Sequence, residues 1–404
     1  MGTLLKARYL ARSEFKANPY PFYARLRREE PVVRVSAVFI KAWLVTRYDD
    51  AAAFLRDPRF SKDQVTAKLV YLPGFAKALA ENMLGKDPPD HTRLRALVSK
   101  AFTPRRIEEF RGRIQAICDG LLSARRPGDF DLVRDYALPI PLTVISDMLG
   151  IPEADRHRFH VLTRHSIVIG APTRLRDVPI ALPSVWLLMR YFRRLFAERR
   201  VNPGDDLLSA LVQAEEAGDR LSEDELMGTA ILLLFAGYDT TVNLIGSGAL
   251  ALLEHPEQRG RFVEDPSLAE PAVEELLRFT SPVEMTPPRV AREDVAIGPV
   301  TIRRGEMVSA VLGSANRDES QFPDPDTLDI GRDPNRHLAL GAGIHFCLGA
   351  PLARMEGQIA LTTLFRRFPA LRLARPVESL RWRNLLPLRG LEALPVMSSV
   401  ASAG

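Results

Sequence analysis

A single cysteine closes the glycine-rich stretch Leu340-Gly341-Ala342-Gly343-Ile344-His345-Phe346-Cys347-Leu348-Gly349. Apolar residues recur with helical spacing directly after it, which predicts a helix from about Pro351 to Arg367. A thiol just before a helix feels the positive end of the helix dipole, which favours the thiolate. The three glycines allow the backbone to approach a bulky, flat partner. The stretch therefore predicts either a thiolate ligand on an open loop or, as the plainer alternative, a buried structural cysteine.

This loop resembles the haem-binding signature of the cytochrome P450 family, Phe-x-x-Gly-x-x-x-Cys-x-Gly. Gly343, Cys347 and Gly349 match the pattern, whereas Leu340 stands where the family usually has Phe. The resemblance implies that Cys347 is the axial ligand of the iron in haem b (iron protoporphyrin IX), where a thiolate favours O–O cleavage. Because the usual Phe packs near this ligand, we expect Leu340 to change the iron potential or the thiolate donation slightly.

A second motif, Ala236-Gly237-Tyr238-Asp239-Thr240-Thr241, lies inside an apolar segment that predicts a helix from about Glu223 to Leu253. Glycine and an acid are costly in the middle of a buried helix, and such costs are typical of functional sites. The motif is similar to the oxygen-activation signature of the family, which implies that Asp239 relays protons and Thr240 donates to dioxygen. Gly237 would then allow a bend whose freed carbonyl holds water. The alternative is a threonine bonded to its own helix beside a capping or salt-bridged aspartate.

Four further residues match family positions that bind the haem propionates. His91 and Arg95 are four residues apart at the start of a predicted helix, so they share one face. Arg289 follows two prolines, and His345 comes two residues before Cys347. The resemblance implies that all four donate to propionates; for each one alone, a surface salt bridge is the alternative.

Glu275 and Arg278 are three residues apart on another predicted helix and so can pair. They are similar to the family's Glu-x-x-Arg element, which implies that the pair locks a third arginine in the irregular segment before the cysteine loop. Arg332 is the candidate for this third arginine. The role implied for the three residues is structural.

The chain has 404 residues, of which 46% are hydrophobic, and no linker or repeat divides it. We therefore expect one large domain over 1–404. The patterns predict a mainly α protein with minor β (α+β). The helix-rich parts are about 90–280 and 349–367, and the β-rich parts are about 30–60, 288–311 and 371–396. The resemblance, which runs from about Pro19 to Pro395, implies a cytochrome P450-like domain with a long central helix over the haem and small sheets near the termini.

Two cysteines are too few for a disulfide scaffold, and Cys118 falls in an apolar helical register typical of the core. This usage favours a reducing, cytoplasmic location. The longest apolar run, Ala230 to Gly237, is too short to span a bilayer, and the start of the chain has no signal-peptide core. We therefore expect no membrane anchor. The net charge of +5 comes from scattered residues, which argues against nucleic acid but suits an acidic redox partner.

The segments that contact substrate in this family are largely apolar in this sequence. They map to about 61–86, 163–186, Leu232 to Ala236, Val283 to Pro287, and Leu385-Leu386. We expect a lipophilic substrate of the polyketide, macrolide, terpenoid, steroid or fatty-acid kind, typical of secondary metabolism. A charge from Arg164, Arg174 or Glu284 could steer a polar end of it.

The main hypothesis is a monooxygenase that uses O2 to hydroxylate or epoxidise such a molecule. The sequence has no Gly-x-Gly-x-x-Gly fingerprint after a strand, so NAD(P)H electrons must arrive from a separate reductase and a ferredoxin or flavodoxin, docking on the cysteine side. We expect a monomer. The alternatives are a peroxide-driven peroxygenase or haem-dependent isomerase, and a non-catalytic haem sensor. Asp239 and Thr240 argue against both alternatives.

Overall fold

The computed structural model describes residues 4–36, 41–63, 78–125, 128–166, 178–216 and 221–398. The chain forms two compact units. The first unit contains Met1–Phe60, Arg111–Pro141 and Asp239–Gly404, and the second contains Ser61–Phe110 and Leu142–Tyr238. One domain over 1–404 stays a prediction.

Helices dominate the described residues, as the sequence predicts, and the mainly α class with minor β is confirmed. The helices are α1 Ala7–Leu10, α2 Ser13–Ala17, α3 Tyr20–Glu29, α4 Tyr48–Arg56, α5 Asp90–Ala101, α6 Pro104–Ser123, α7 Pro139–Met148, α8 Glu153–Ser166, α9 Val178–Val201, α10 Leu207–Glu216, α11 Glu223–Glu254, α12 Pro256–Glu264, α13 Ala269–Thr280, α14 Leu312–Ala315 and α15 Ala350–Arg367.

The strands in the described ranges are short and form three sheets. They are β1 Leu4–Lys6, β2 Val32–Ser36, β3 Lys41–Val45, β4 Phe60–Ser61, β5 Gly128–Asp131, β6 Arg289–Ala291, β7 Val295–Ile297, β8 Val300–Ile302, β9 Met307–Ala310, β10 Arg372–Leu373 and β11 Pro395–Ser398. The six-stranded sheet has the order β1-β2-β3-β9-β6-β4, the three-stranded sheet β10-β11-β5, and β7 pairs with β8. Of the four pairings in the large sheet that have a defined register, two are parallel, β1 with β2 and β3 with β9, and two are antiparallel, β2 with β3 and β6 with β9.

The large sheet is covered on both faces, because its successive side chains alternate between two hydrophobic clusters. Val33 and Leu44 belong to a cluster with the N-terminal helices, which includes Tyr23. Val32 and Val45, the neighbouring residues, belong to a second cluster on α4. This period of two is the ordinary geometry of a strand. It places α4 on one side of the sheet and the N-terminal helices on the other.

Helix α11 is the longest helix among the described residues, and its boundaries follow from its sequence. A capping box starts it, since the Ser222 backbone N–H donates to Glu225 Oε2 at 2.8 Å and the Glu225 N–H donates to Ser222 Oγ at 3.2 Å. Pro256 follows its end. By length and composition α11 could cross a membrane, but 72% of its apolar window is buried inside the protein. It therefore has the burial of a core helix.

The structure differs from the sequence prediction at β5, which interrupts the region predicted to be helical from 90 to 280. This strand pairs with β11, with Phe130 opposite Val396. The long segment between α14 and the cysteine loop has no regular helix or strand, as predicted. It is instead held by side-chain hydrogen bonds, which are described below.

Candidate active site

The cysteine loop is a closed turn that ends at helix α15. The Cys347 backbone N–H donates to the Leu340 carbonyl at 2.9 Å, and the Phe346 N–H donates to Gly343 O at 3.0 Å. Gly341 and Gly343 have φ of +75° and +69°, values that side chains rarely adopt. Cys347 is half-buried and lies three residues before the first residue of α15. The structure thus presents the thiol at the helix N-terminus, as the motif predicts.

Gly343 also makes a close approach to the end of α4. A Cβ atom at this position would lie 2.8 Å from Leu55 O and 3.2 Å from Arg56 Cα. Arg289 Nη1 donates to the same Leu55 carbonyl at 3.0 Å, and its guanidinium lies 5.3 Å from the centre of the Phe54 ring. Arg289 and Gly343 of the cysteine loop therefore both lie against the Leu55 carbonyl.

The two cysteines have different environments. Cys118 is fully buried, and burial raises the pKa of its thiol to about 12. It therefore stays protonated at neutral pH, and its predicted place in the core is confirmed. Cys347 is the cysteine that is both partly accessible and at a helix start. The donor set at this loop, a single thiolate with glycine backbone around it, fits the axial ligation of a haem.

The other residues predicted to bind propionates are divided between the two units. Arg289 is buried and His345 is half-buried, and both belong to the first unit with Cys347. His91 is buried and Arg95 is half-buried; they lie one turn apart on α5 in the second unit. Their role in propionate binding stays a prediction.

The middle of helix α11 is partly exposed to solvent. Between Leu226 and Leu252, every residue is buried except Leu232, Phe235, Ala236, Gly237 and Thr240. These five residues lie at and just before the Ala-Gly-x-Asp-Thr motif, and Leu232, Ala236 and Thr240 follow one another at helical spacing. A partly accessible stripe at this motif fits a helix that lines a ligand site.

Gly237 has a packing role that the sequence did not indicate. The helix continues through it without interruption, and a Cβ atom added there would lie 3.1 Å from Ile145 Cδ1. The missing side chain therefore makes room for Ile145 of α7. The predicted bend with a freed carbonyl at Gly237 stays a prediction.

Asp239 is salt-bridged, as the alternative interpretation predicted, but through one oxygen only. Its Oδ1 accepts a hydrogen bond from Arg383 Nη1. Its Oδ2 is buried and has no partner among the described residues. Asp239 is 3% exposed. The carboxylate therefore keeps one oxygen for another donor, beside the accessible Thr240.

The Glu-x-x-Arg element forms the predicted lock. Arg278 donates to both oxygens of Glu275, at 2.7 and 2.8 Å, and neither side chain is exposed. Arg332 Nε donates to Glu275 Oε1 at 3.2 Å, and Asn335 donates to Oε2 at 3.1 Å. Arg278 also donates to the Asn316 carbonyl at 2.9 Å. This network holds the irregular segment that leads into the cysteine loop.

The hypothesis that Glu284 steers a substrate is wrong. Glu284 is fully buried, forms an ion pair with Lys16, and accepts a hydrogen bond from the Tyr23 hydroxyl at 2.5 Å. Burial lowers the pKa of Lys16, although the charge of Glu284 opposes this. The side chain of Arg164, together with Arg174 and the predicted wall segments 64–77 and 167–177, lies outside the described residues.

Sequence reasoning missed two charged residues near these motifs. Arg383 lies in the region 371–396 that the sequence predicts to be β-rich, but no motif or spacing rule singles out this arginine. Glu356 could have been found, because it occupies the apolar face of α15, four residues after Leu352 and four before Ala360. Burial raises its pKa to about 8, and the Thr241 hydroxyl offsets only part of the effect.

Known proteins resemble this chain over nearly its whole length. The Cytochrome P450 family model matches residues 188–381. The polyketide biosynthesis cytochrome P450 PksS of Bacillus subtilis (strain 168) is 44% identical over 397 residues, covering 96% of this chain and 97% of that protein. The solved PksS structure has a TM-score of 0.90 and covers 97% of this chain and 99% of that chain.

Two further relatives agree. The cytochrome P450 monooxygenase PikC of Streptomyces venezuelae is 45% identical over 388 residues, covering 95% of this chain and 92% of that protein. The crystal structure of the myxobacterial cytochrome P450 CYP267B1 in complex with myristic acid is 42% identical with a TM-score of 0.91, covering 97% of this chain and 99% of that chain. These relatives align with almost the whole chain, and the Cys347 thiol lies just before α15, as haem ligation requires. The chain therefore belongs to the cytochrome P450 family and is a haem-dependent monooxygenase.

Proposed function

We propose that this monooxygenase hydroxylates or epoxidises a lipophilic polyketide-type molecule, such as a macrolactone, in secondary metabolism. PksS is named for polyketide biosynthesis, and CYP267B1 was crystallised with a long-chain fatty acid. The observation that carries the proposal is the accessible stripe of α11. Its side chains at Leu232, Phe235 and Ala236 are apolar and end at the hydroxyl of Thr240. An apolar wall beside a proton donor suits oxidation of an unactivated C–H or C=C bond.

Cys347 holds the cofactor in this proposal. Haem, when bound, supplies an iron centre that activates dioxygen. The Cys347 thiolate is the ligand from the protein, and the N-terminus of α15 stabilises its negative charge. Arg289, His345, His91 and Arg95 are the donors for the propionates. The Leu340 carbonyl fixes the cysteine backbone through its 2.9 Å hydrogen bond.

Asp239 and Thr240 deliver protons in this proposal. Asp239 Oδ2 is buried and lacks a partner among the described residues, so this oxygen is available to accept a proton and pass it on. Thr240 is the next residue and lies on the accessible stripe. The Thr240 Oγ1 passes the proton to the reacting oxygen. The geometry suits a general acid, since the donor is positioned on a rigid helix.

The partners follow from the same proposal. Electrons come from NAD(P)H through a reductase and a ferredoxin or flavodoxin that docks on the cysteine side. The net charge of +5 supports an acidic carrier of this kind. The proposed state is a cytoplasmic monomer.

Thr240 gives the direct test. Macrolactones and myristic acid are first screened for a Soret shift, and product and hydrogen peroxide are then measured per NAD(P)H consumed. We expect Thr240→Ala to lower the product yield about tenfold or more, with peroxide in its place, because the proton donor is lost. Thr240→Ser should retain coupling, since it keeps the hydroxyl.

Thr229→Val is the matched control, because Thr229 is buried on α11, eleven residues before Thr240. It should leave coupling unchanged. Full coupling in Thr240→Ala would remove the proton-delivery role. Turnover with peroxide alone, and none with the reductase, would favour the peroxygenase instead.

A further inference from the structure

We propose that Arg383 is a positioning residue for proton delivery, which clamps one oxygen of Asp239 and leaves the other to carry the proton. This inference rests on the proposed role of Asp239. Arg383 Nη1 donates to Asp239 Oδ1, whereas Oδ2 is buried without a partner among the described residues. The side chains of Asp239 and Arg383 are 4% and 27% exposed. The ion pair is therefore largely withdrawn from solvent.

The chemistry of the two groups makes the oxygens of Asp239 different. A guanidinium is always charged and only donates, so the oxygen that it holds is a poor place for a proton. Burying a carboxylate without a cation costs free energy, and Arg383 offsets this cost when Asp239 is ionised. The carboxylate orientation is fixed at the same time. Because Arg383 occupies Oδ1, the proton binds Asp239 at Oδ2.

A backbone turn holds Arg383 in place. The Arg383 N–H donates to the Gly390 carbonyl at 2.9 Å, and Trp382 pairs with Leu391 as an antiparallel bridge. Gly390 lies directly on α11, since a Cβ atom there would be 1.8 Å from Asn243 Oδ1. Asn243 is one helical turn after Asp239. The hairpin 382–391 therefore meets α11 at two successive turns, once through Arg383 and once through Gly390.

Hydrogen bonds from other segments also hold the tip of this hairpin in place. Lys16 Nζ donates to the Leu386 carbonyl at 2.9 Å. The Glu284 and Arg389 backbone N–H groups make hydrogen bonds to Pro387 O at 2.9 Å and Pro282 O at 3.0 Å. Arg383 is therefore presented by a rigid element, which is the condition for a positioning residue. The same tip carries Leu385-Leu386, which the sequence predicts to contact substrate.

The first experiment compares three variants of the holoenzyme: Asp239→Asn, Arg383→Gln and Arg381→Gln. Arg381 is the matched control, because it is exposed and lies directly before the hairpin, two residues from Arg383. NAD(P)H-driven oxygen consumption is measured with a plant-type ferredoxin and its reductase, without organic substrate, in H2O and D2O. We expect Asp239→Asn and Arg383→Gln to be slower by about tenfold and to share a changed solvent isotope effect. Arg381→Gln should match the wild type.

The second experiment needs no turnover. Denaturant midpoints of the holoprotein are measured for Arg383→Gln, Asp239→Asn and the double variant, as a double-mutant cycle. We expect Arg383→Gln to lower the midpoint because it leaves a buried carboxylate without its cation. In the Asp239→Asn background the same change should have little effect.

The outcomes separate this inference from the proposed function. If Asp239→Asn changes the isotope effect and Arg383→Gln behaves like Arg381→Gln, the role of Arg383 is overturned while that of Asp239 stands. A lowered midpoint without any change in isotope effect would also overturn it, since Arg383 would then be purely structural. An Asp239→Asn enzyme identical to the wild type would refute the proton relay itself.

Discussion

Glu356 is a buried acid that no cation neutralises among the described residues. It is 1% exposed on α15, nine residues after Cys347. Burial raises its pKa to about 8, so the folded protein holds this proton at neutral pH. In the unfolded chain the group titrates near 4.5. Between pH 4.5 and about pH 8 the unfolded chain has lost this proton, whereas the folded protein still holds it. The free energy of unfolding therefore falls as the pH rises through this range.

This sign gives a prediction for Glu356→Gln. Between pH 5 and pH 8 the wild type should lose free energy of unfolding through this group, with an upper limit of about 3 to 4 kcal/mol. Glutamine cannot ionise, so the variant should lose less and should be the more stable protein at pH 8. Denaturant midpoints at both pH values test this. Glu257→Gln, at an exposed position, is the control and should keep the wild-type pH dependence; an identical dependence in Glu356→Gln would contradict the account.

At the scale of single residues, local motifs could be predicted and long-range partners could not. The Glu275–Arg278 pair was visible because three residues separate its members on one helix. Asp239 and Arg383 are 144 residues apart, and Lys16 and Glu284 are 268 apart. No spacing rule links such positions, since only the fold brings them together. The error at Glu284 has this cause: its partner lies in the N-terminal helices.

Among the elements, the cysteine loop depends on a glycine that no other residue can replace. Gly343 has φ of +69°, and a Cβ atom there would meet backbone atoms of α4, which cannot rotate away. We expect Gly343→Ala to lower the free energy of unfolding by about 1 to 3 kcal/mol and to reduce haem retention. Chemical denaturation and the ratio of Soret to protein absorbance measure the two effects.

Gly112→Ala is the control for that substitution. Gly112 lies exposed in α6, with no atom within 4 Å of an added Cβ. It should be neutral or stabilise the protein by up to about 1 kcal/mol, because alanine favours the helix. A Gly343→Ala protein as stable as this control would show that the loop does not need its close approach to α4.

The elements with a strong local signal were predicted closely. The limits of α11 and α15 differ from the predicted ones by one residue at most, since a capping box, prolines and apolar periodicity define them. The strand β5 was missed because its four residues carry no strong alternation. It becomes a strand by pairing with β11, more than 260 residues later. Strand formation of this kind depends on tertiary context.

At the scale of the whole molecule, the sequence motifs identified the family because they agree with one another along the chain. The relatives that cover almost the whole of it confirm the monooxygenase assignment and the cofactor. The roles of His91, Arg95, Arg289, His345, Asp239 and Thr240 stay predictions. They concern donors whose partner is the cofactor or dioxygen, and neither the spacing nor the contacts within the protein decide them.

We propose that Cys347 is the thiolate ligand of the haem. The most direct measurement is the ultraviolet–visible spectrum of the dithionite-reduced holoprotein before and after carbon monoxide, for the wild type, Cys347→Ser and Cys118→Ala. We expect a strongly red-shifted Soret band in the wild type and in Cys118→Ala, because the buried Cys118 is not a ligand, and we expect the loss of this band in Cys347→Ser. An unshifted band in the wild type, or a red-shifted band that survives in Cys347→Ser, would contradict it.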